Sequence, residues 1–318
     1  MTDEPMILAL PSKGRLKEQL EAWLADAGFK LEMTGGARGY TAELSGLPGV
    51  QVRLLSAGDI ASGVTNGEVH LGVTGEDLLR EQPGELDGRV LLLRALGFGR
   101  ADLVVAVPKS WLDVDTMADL DAVSHAHLAR TGRRLRVATK YLAQTRGFFA
   151  RHGLADYRIV ESSGATEGTP AAGAAEAIVD ITTTGAALVA NGLKILDDGV
   201  ILKSQAQLAA SLTAAWTPAQ LAQARRLLGD VAARARARTL ASLSWPANRD
   251  ADAEGAIAPF LARGAVRRSG GVMASQDDLF DLTFALAAAG VEPVAVHRSD
   301  YVFAADSPAQ LALRNAVG

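Results

Sequence analysis

Ala177-Ile-Val-Asp180-Ile-Thr-Thr-Thr-Gly185-Ala-Ala-Leu188 is a short apolar run that ends at a carboxylate, then passes through three hydroxyl residues and a glycine into a new helix. A strand feeding a helix in this way is the repeating unit of a wound α/β fold. The free amides of a helix start favour an anion, and glycine lets the backbone approach it closely. A carboxylate just before such a cradle repels phosphate, so its natural partners are the hydroxyls of a sugar on the same ligand. Phosphate plus ribose is the implied ligand. The same residues also serve as an ordinary cap and turn.

Upstream, Gly164-Ala-Thr-Glu167-Gly-Thr-Pro170-Ala-Ala-Gly173-Ala-Ala-Glu176 adds two acids. Glu167, Glu176 and Asp180 are thereby expected to converge near one loop. Further out, short apolar runs alternate with helical patterns through about residue 205. Strands are predicted at Met6–Leu10, Val50–Leu55, His70–Val73, Val90–Leu96, Leu103–Val107, Leu135–Thr139, Tyr157–Val160, Ala177–Ile181 and Val200–Ser204. The clearest helix carries Leu16, Leu20, Trp23, Leu24 and Ala27 on one face and stops at Gly28.

Pro108 breaks an apolar strand and marks a crossing into a second lobe, with the return near Leu193–Ser204. A long Ala/Arg-rich helix follows from Pro218 to about Leu240, then Trp245–Ala253 reads as a linker. The tail is expected to hold helix Gln276–Ala289, strands Pro293–His297 and Asp300–Phe303, and a last helix after Pro308. The domains expected are 1–100 plus 193–240 as lobe I, 101–192 as lobe II and 254–318 as a small C-terminal α+β domain.

Composition narrows the function classes. The 318 residues, 48% hydrophobic and 21% charged, are those of a folded globular protein. A net charge of −4 with interspersed signs supplies no global field for nucleic acid or membrane, so any anion site is local. Without cysteine there is no disulfide framework, thiolate metal site or catalytic thiol, which suits a reducing, cytoplasmic setting. The opening Met1-Thr-Asp-Glu-Pro5 is acidic, and Met6–Leu10 is too short for a signal peptide or membrane span. His125-x-His127 lacks a third ligand and reads as surface, while His70 reads as a satisfied strand residue.

Residues 161–205 resemble the phosphoribosyl-pyrophosphate region of the ATP phosphoribosyltransferases. That pattern runs Glu-x-x-Pro-x-x-Gly-x-Ala-Asp/Glu-x-Ile-x-Asp, then hydroxyl residues, then Thr-Gly-x-Thr-Leu. This chain supplies Glu167, Pro170, Gly173, Ala175, Glu176, Ile178, Asp180, Thr184, Gly185 and Leu188. It departs at Ala187, where the family usually has Thr, and carries Glu176 where Asp is usual. Leu10-Pro-Ser-Lys13-Gly14-Arg15-Leu16 resembles the family's strand followed by Lys-Gly-Arg-Leu, and cations there suit a triphosphate or pyrophosphate. Asp59-Ile60 and His70-Leu-Gly-Val-Thr-Gly75-Glu-Asp77 resemble its Gly-x-x-Gly-x-Asp turn, although Ser56 and Ala57 stand where the family often has Arg. Asp77 serves equally as a helix cap. Arg136–Tyr141 and Thr145–Phe149 match the second lobe, with Lys140 and Arg146 as electrostatic contacts.

The resemblance implies an α/β, two-lobed, periplasmic-binding-protein-like catalytic part with a small, ferredoxin-like C-terminal domain. The implied reaction transfers the phosphoribosyl group of phosphoribosyl pyrophosphate to N1 of ATP, releasing pyrophosphate, as the first step of histidine biosynthesis. No covalent nucleophile is expected. Lys13, Gly14, Arg15, Gly75, Asp77, Glu167, Glu176, Asp180, Thr182, Thr183, Thr184, Gly185 and Ala187 are the expected substrate-binding residues. The implied cofactor is Mg²⁺, carried by substrate, with Glu176 or Asp180 nearby. Histidine is the implied inhibitor, and a homo-oligomer or a hetero-oligomer with a regulatory subunit the implied assembly. Two alternatives stay open: a phosphoribosyltransferase acting on a free base, and a non-catalytic binding or regulatory protein of the same fold. The free-base type generally has two adjacent acids where this chain has Asp180 alone.

Overall fold

The computed structural model describes residues 4–34 and 40–318, so the acidic opening at residues 1–3 lies outside the described residues. The chain divides into two compact units, one built from residues up to 22 and 30–220, the other from 23–29 and 221–316.

The first unit contains two sheets. One begins with β1 (Met6–Pro11), followed by α1 (Gly14–Asp26), β2 (Leu31–Met33), β3 (Thr41–Leu44), β4 (Val50–Leu55), α2 (Ala57–Asn66), β5 (Leu71–Gly75), α3 (Glu76–Arg80) and β6 (Val90–Ala95). β1 lies between β4 and β5, parallel to both, which explains why Leu8, Ala9 and Leu10 are all buried rather than alternating. α2 is started by the Ser56 side chain, which accepts from the Asp59 amide, and stopped by Gly67.

The second sheet comprises β7 (Ala101–Pro108), β8 (Leu135–Thr139), β9 (Tyr157–Glu161), β10 (Ala177–Thr182) and β11 (Leu193–Ser204). Its order is β11-β7-β10-β8-β9, with β10 antiparallel to β7 and parallel to β8. Helices α4 (Met117–Thr131), α5 (Leu142–Arg151) and α6 (Ala186–Ala190) accompany it. Leu103, Val105 and Val107 face one core with Phe149, while Val104 and Ala106 face another with Leu188, so β7 is buried on both sides.

The chain returns to the first sheet in β12 (Ala206–Ser211), antiparallel to β5 and β6. This corrects three expectations. Residues 193–204 pair with β7, so they belong to the second sheet rather than to lobe I, and the strand they form begins at Leu193 instead of Val200. The compact division falls after Gln220 rather than near residue 240.

The second unit holds most of α7 (Pro218–Thr239), then β13 (Leu240–Ser244), α8 (Asp250–Leu261), β14 (Val266–Arg268), β15 (Gly271–Ser275), α9 (Leu279–Ala288), β16 (Ala295–His297) and α10 (Pro308–Val317). The strands pair antiparallel in the order β14-β15-β13-β16, the ferredoxin-like arrangement of a β-α-β-β-α-β chain. Trp245–Ala253 is not a linker: Trp245 is buried in the core and its indole N–H donates to the Asp250 carboxylate at 2.8 Å, closing the turn into α8. Asp300–Phe303 is not a strand, because the Val302 amide donates to the Ala233 carbonyl of α7 and its carbonyl accepts from Arg236.

Candidate active site

β10 delivers Asp180 half-buried at its end. One carboxylate oxygen accepts from the Ile181 amide at 2.9 Å, and no cation among the described residues pairs with it directly. Burial pushes this carboxyl above the ordinary Asp range, and the charge of Glu167 pushes further, outweighing the Ile181 amide and Lys140, which pull it down. Glu167 reaches this neighbourhood from a single 3-10 turn, Thr166–Gly168. The residue before it, Ala165, sits at φ 49°, the one non-glycine at positive φ among the described residues. Strain of this kind tends to cluster at functional sites.

Glu176 does not converge with them. It stands at the other end of β10, four residues away, or about 13 Å along an extended strand. Its carboxylate accepts from the Arg136 amide at 2.7 Å and from the Arg136 guanidinium at 2.6 and 3.1 Å. Burial raises its pKa, but the Arg136 hydrogen bonds outweigh burial and hold the carboxyl below the usual range. The expectation of three acids at one loop is therefore corrected to two, and Glu176 is a clamp between β8 and β10.

The loop after Asp180 uses its own hydroxyls. Thr182 Oγ1 accepts from the Gly185 amide at 2.9 Å and Thr184 Oγ1 from the Ala186 amide at 3.3 Å, while the Thr183 hydroxyl donates to the Arg100 carbonyl. Gly185 takes φ 75°, a conformation that a side chain disfavours. With the first two donors consumed, the amides of Ala187 and Leu188 have no partner among the described residues. The helix they open, α6, has only five residues, so its dipole is small and these two amides are the donors it leaves free.

Both sheets supply the adjoining cleft. A cavity of about 440 Å³ is lined by Arg15, Gly75 and Asp77 on one side and by Arg100, Ile181 and Thr183 on the other. A neighbouring cavity of about 430 Å³ shares Arg100 and Thr183 and adds Asp102, Thr182 and Lys203. Lys13 and Gly14 are exposed between β1 and the body of α1, beside Arg15. Arg100 and Lys203 escaped the sequence reading, although Gly97-Phe98-Gly99-Arg100, a glycine-flanked segment between two strands, was the available signal.

Asp77 lines the cleft, but its carboxylate is occupied. One oxygen accepts from the Ser204 hydroxyl and the other from the Tyr141 hydroxyl, both at 2.8 Å, and the Asp77 amide donates to Ser204 Oγ at 3.0 Å. Asp77 is 6% exposed and Tyr141 not at all. Burial, then the Asp77 charge, push the Tyr141 phenol far above its ordinary range, so it stays a donor. One turn on, Glu81 accepts from the Ala143 and Gln144 amides and caps α5. These contacts latch the end of β5 to the ends of β8 and β11. Gly75 is required beside the latch, since a Cβ there would collide with the Asp77 carboxylate.

The remaining residues are structural. His70 Nδ1 accepts from the Ile7 amide and its Nε2 side contacts the Ala215 carbonyl; burial lowers its pKa. His125 meets Asp156, and no group of three or more His, Asp or Glu suited to a metal occurs among the described residues. No described helix is long and apolar enough to cross a membrane.

The fold is that of an α/β protein with a cleft lined by cations, a carboxylate and a hydroxyl-rich loop. The HisG family model, ATP phosphoribosyltransferase, matches residues 56–230. An ATP phosphoribosyltransferase of Caulobacter vibrioides is 74% identical over 299 residues, covering 94% of this chain and 93% of the relative. One from a Bradyrhizobium strain is 52% identical over 318 residues, covering 96% of each. A chain of the Thermotoga maritima HisG:HisZ complex shares the fold, with TM-score 0.52 and 23% identity, over 71% of this chain and 94% of its own. The chain belongs to the ATP phosphoribosyltransferase family. It is thus a glycosyltransferase that transfers the phosphoribosyl group of phosphoribosyl pyrophosphate to ATP, with release of pyrophosphate, in the first step of histidine biosynthesis, which sets aside the free-base and non-catalytic alternatives.

Proposed function

We propose that the reaction takes place in the cleft between Arg15 and Thr183, with the phosphoribosyl group held by Asp180 and the loop 182–188. The observation that carries this reading is one strand end where an unpaired carboxylate precedes two unpartnered amides, at Ala187 and Leu188. Asp180 accepts hydrogen bonds from the ribose hydroxyls, and those amides donate to the 5′-phosphate. Arg15, with Lys13 beside it, and Arg100 across the cleft hold the pyrophosphate and triphosphate groups.

Adenine N1 attacks C1 of the ribose, the bond from C1 to the pyrophosphate oxygen breaks, and pyrophosphate leaves with the electron pair. No side chain forms a covalent bond. Rate then comes from holding two polyanions in line and from cations placed where charge develops. Mg²⁺ fits this site: Asp180 and Glu167 bear charges that oppose one another, and a cation arriving on the substrate relieves them. When bound, it neutralises the leaving pyrophosphate. Glu176 holds no metal, because Arg136 saturates its carboxylate.

Replacing Asp180 with Asn tests the assignment through the apparent affinity for phosphoribosyl pyrophosphate, which should fall while ATP binding in the absence of that substrate is kept. Unchanged affinity would remove Asp180 from the site. The setting is cytoplasmic, where both substrates occur, and the assembly is an oligomer. Histidine is assigned to the ferredoxin-like unit as inhibitor. A histidine titration of the full chain with hydrogen exchange should show inhibition and protection at β13–β16, and insensitivity in both readouts would reject it.

A further inference from the structure

A cavity of about 730 Å³ opens at the Glu176 end of β10, away from the proposed catalytic cleft. Its walls carry His127, Arg133, Arg134, Arg136, Arg158 and Glu176. Glu176 is consumed by Arg136, so that pair contributes no net charge. Arg133, Arg134 and Arg158 make no ion pair among the described residues. Three guanidinium groups thus border one concavity in a chain that has more acidic residues than basic ones, 36 against 32.

The fold concentrates this charge. On the adjoining parallel strands β8 and β9, Arg136 and Arg158 are register partners, so their side chains leave the same face. Arg133 and Arg134 arrive from the turn that ends α4, where Gly132 adopts φ 69° and the Arg133 amide donates to Thr131 Oγ1. Like charges set side by side repel, and a carboxylate in place of Arg158 would have relieved the repulsion. An anion from solution relieves it as well. The planar fork of arginine matches phosphate oxygens, and the cavity has the size of a small-molecule site rather than a macromolecular surface.

We propose that this cavity binds a small anion carrying a pyrophosphate group, at a site separate from the catalytic cleft. Inorganic pyrophosphate and the phosphates of a nucleoside diphosphate share that chemistry, and both kinds of molecule surround an enzyme that consumes ATP and releases pyrophosphate. The inference uses only the family's reaction and stands whether or not Asp180 has the role proposed above.

The test is calorimetric titration of inorganic pyrophosphate into the full-length protein and into R133A/R134A/R158A. Two equivalents per chain are expected for the parent and one for the variant, with kcat at saturating substrates unchanged. Arg158→Ala alone, which leaves the Arg136–Glu176 pair intact, should weaken the variant-sensitive equivalent at least tenfold if the triple variant fails to fold. Superimposable titrations, or a parent in which every equivalent survives the substitutions, would overturn the proposal. Repeating the titration with ADP identifies the source: tighter binding at this site than pyrophosphate means that the nucleoside is also read, and equal binding means that the pyrophosphate alone is recognised.

Discussion

The two ends of β10 carry one acid each, and the protein treats them in opposite ways. At the start, Glu176 is saturated by Arg136 and held below the usual carboxyl range; at the end, Asp180 has no direct cation among the described residues and is held above it. The first arrangement stabilises the fold and leaves nothing to offer a ligand. The second makes the unliganded protein carry a poorly solvated charge that a ligand's hydroxyls or metal can relieve. A carboxylate whose needs are already met is a structural element, whereas one left wanting is a candidate for binding.

Exchanging each carboxylate for its amide breaks the comparison most severely. Asp180→Asn should lower kcat/KM for phosphoribosyl pyrophosphate about 10²–10³-fold, as expected when a preorganised polar contact to the reacting group is removed. It should also raise the melting temperature. The raised folded pKa means that stability is present with the proton on and lost as pH rises through the folded value, so at neutral pH the ionised side chain is a cost that Asn lacks. Glu176→Gln should do the reverse, keeping kcat/KM within a few-fold while costing about 1–3 kcal/mol at neutral pH. Because Glu176 has a lowered pKa, its contribution is present above the usual carboxyl range and lost as pH falls through the folded value. The two variants should therefore differ in opposite senses when denaturation is followed at pH 7 and in acid. Loss of activity in both, or of stability in both, would erase the distinction.

A smaller effect tests whether the cleft depends on how its two sheets are joined. Tyr141→Phe removes one hydrogen bond to Asp77 and costs about 1 kcal/mol in stability. If the latch sets the separation of Arg15 from Thr183, KM for both substrates should rise about tenfold, a factor of the size that small misplacements produce, with kcat less affected. A stability loss with both KM values unchanged would make the latch a packing feature only.

The sequence made some of this legible and hid the rest for physical reasons. Strands buried on both faces, such as β1, β7 and β10, declare themselves as apolar runs, and the strand-to-helix loop after Asp180 declares itself by its hydroxyls and glycine. β12, Ala-Gln-Leu-Ala-Ala-Ser, has no β-branched residue and is a strand only because β5 and β6 flank it. β13 directly follows α7, with no turn residue between them to announce a strand. Tyr301 and Phe303 alternate as strand residues do, yet the backbone between them bonds to a helix. The roles of Glu176, Asp77 and Tyr141 depend on partners 40 to 127 residues away, a separation at which spacing carries no information. Motif order found the region of the site, but only geometry separated the acids that are spent from the acid that is free.

The smallest expected effect concerns the loop itself. Thr182 and Thr184 accept from the Gly185 and Ala186 amides, which ties their oxygens to the loop while their O–H groups stay free to donate. Ala187 is exposed, its amide is unpartnered, and a threonine there would bring a hydroxyl with no competing partner in the loop. Ala187→Thr should lower KM for phosphoribosyl pyrophosphate about two- to tenfold, the worth of one added hydrogen bond at about 0.5–1.5 kcal/mol, and leave KM for ATP alone. The helix propensity lost in a five-residue helix subtracts a few tenths of a kcal/mol at most, roughly. If the 5′-phosphate is the group at this position, the gain should disappear for ribose in place of phosphoribosyl pyrophosphate in binding assays. If the variant binds phosphoribosyl pyrophosphate no more tightly than the parent, the phosphate sits elsewhere, and the free amides at Ala187 and Leu188 must face a different part of the ligand.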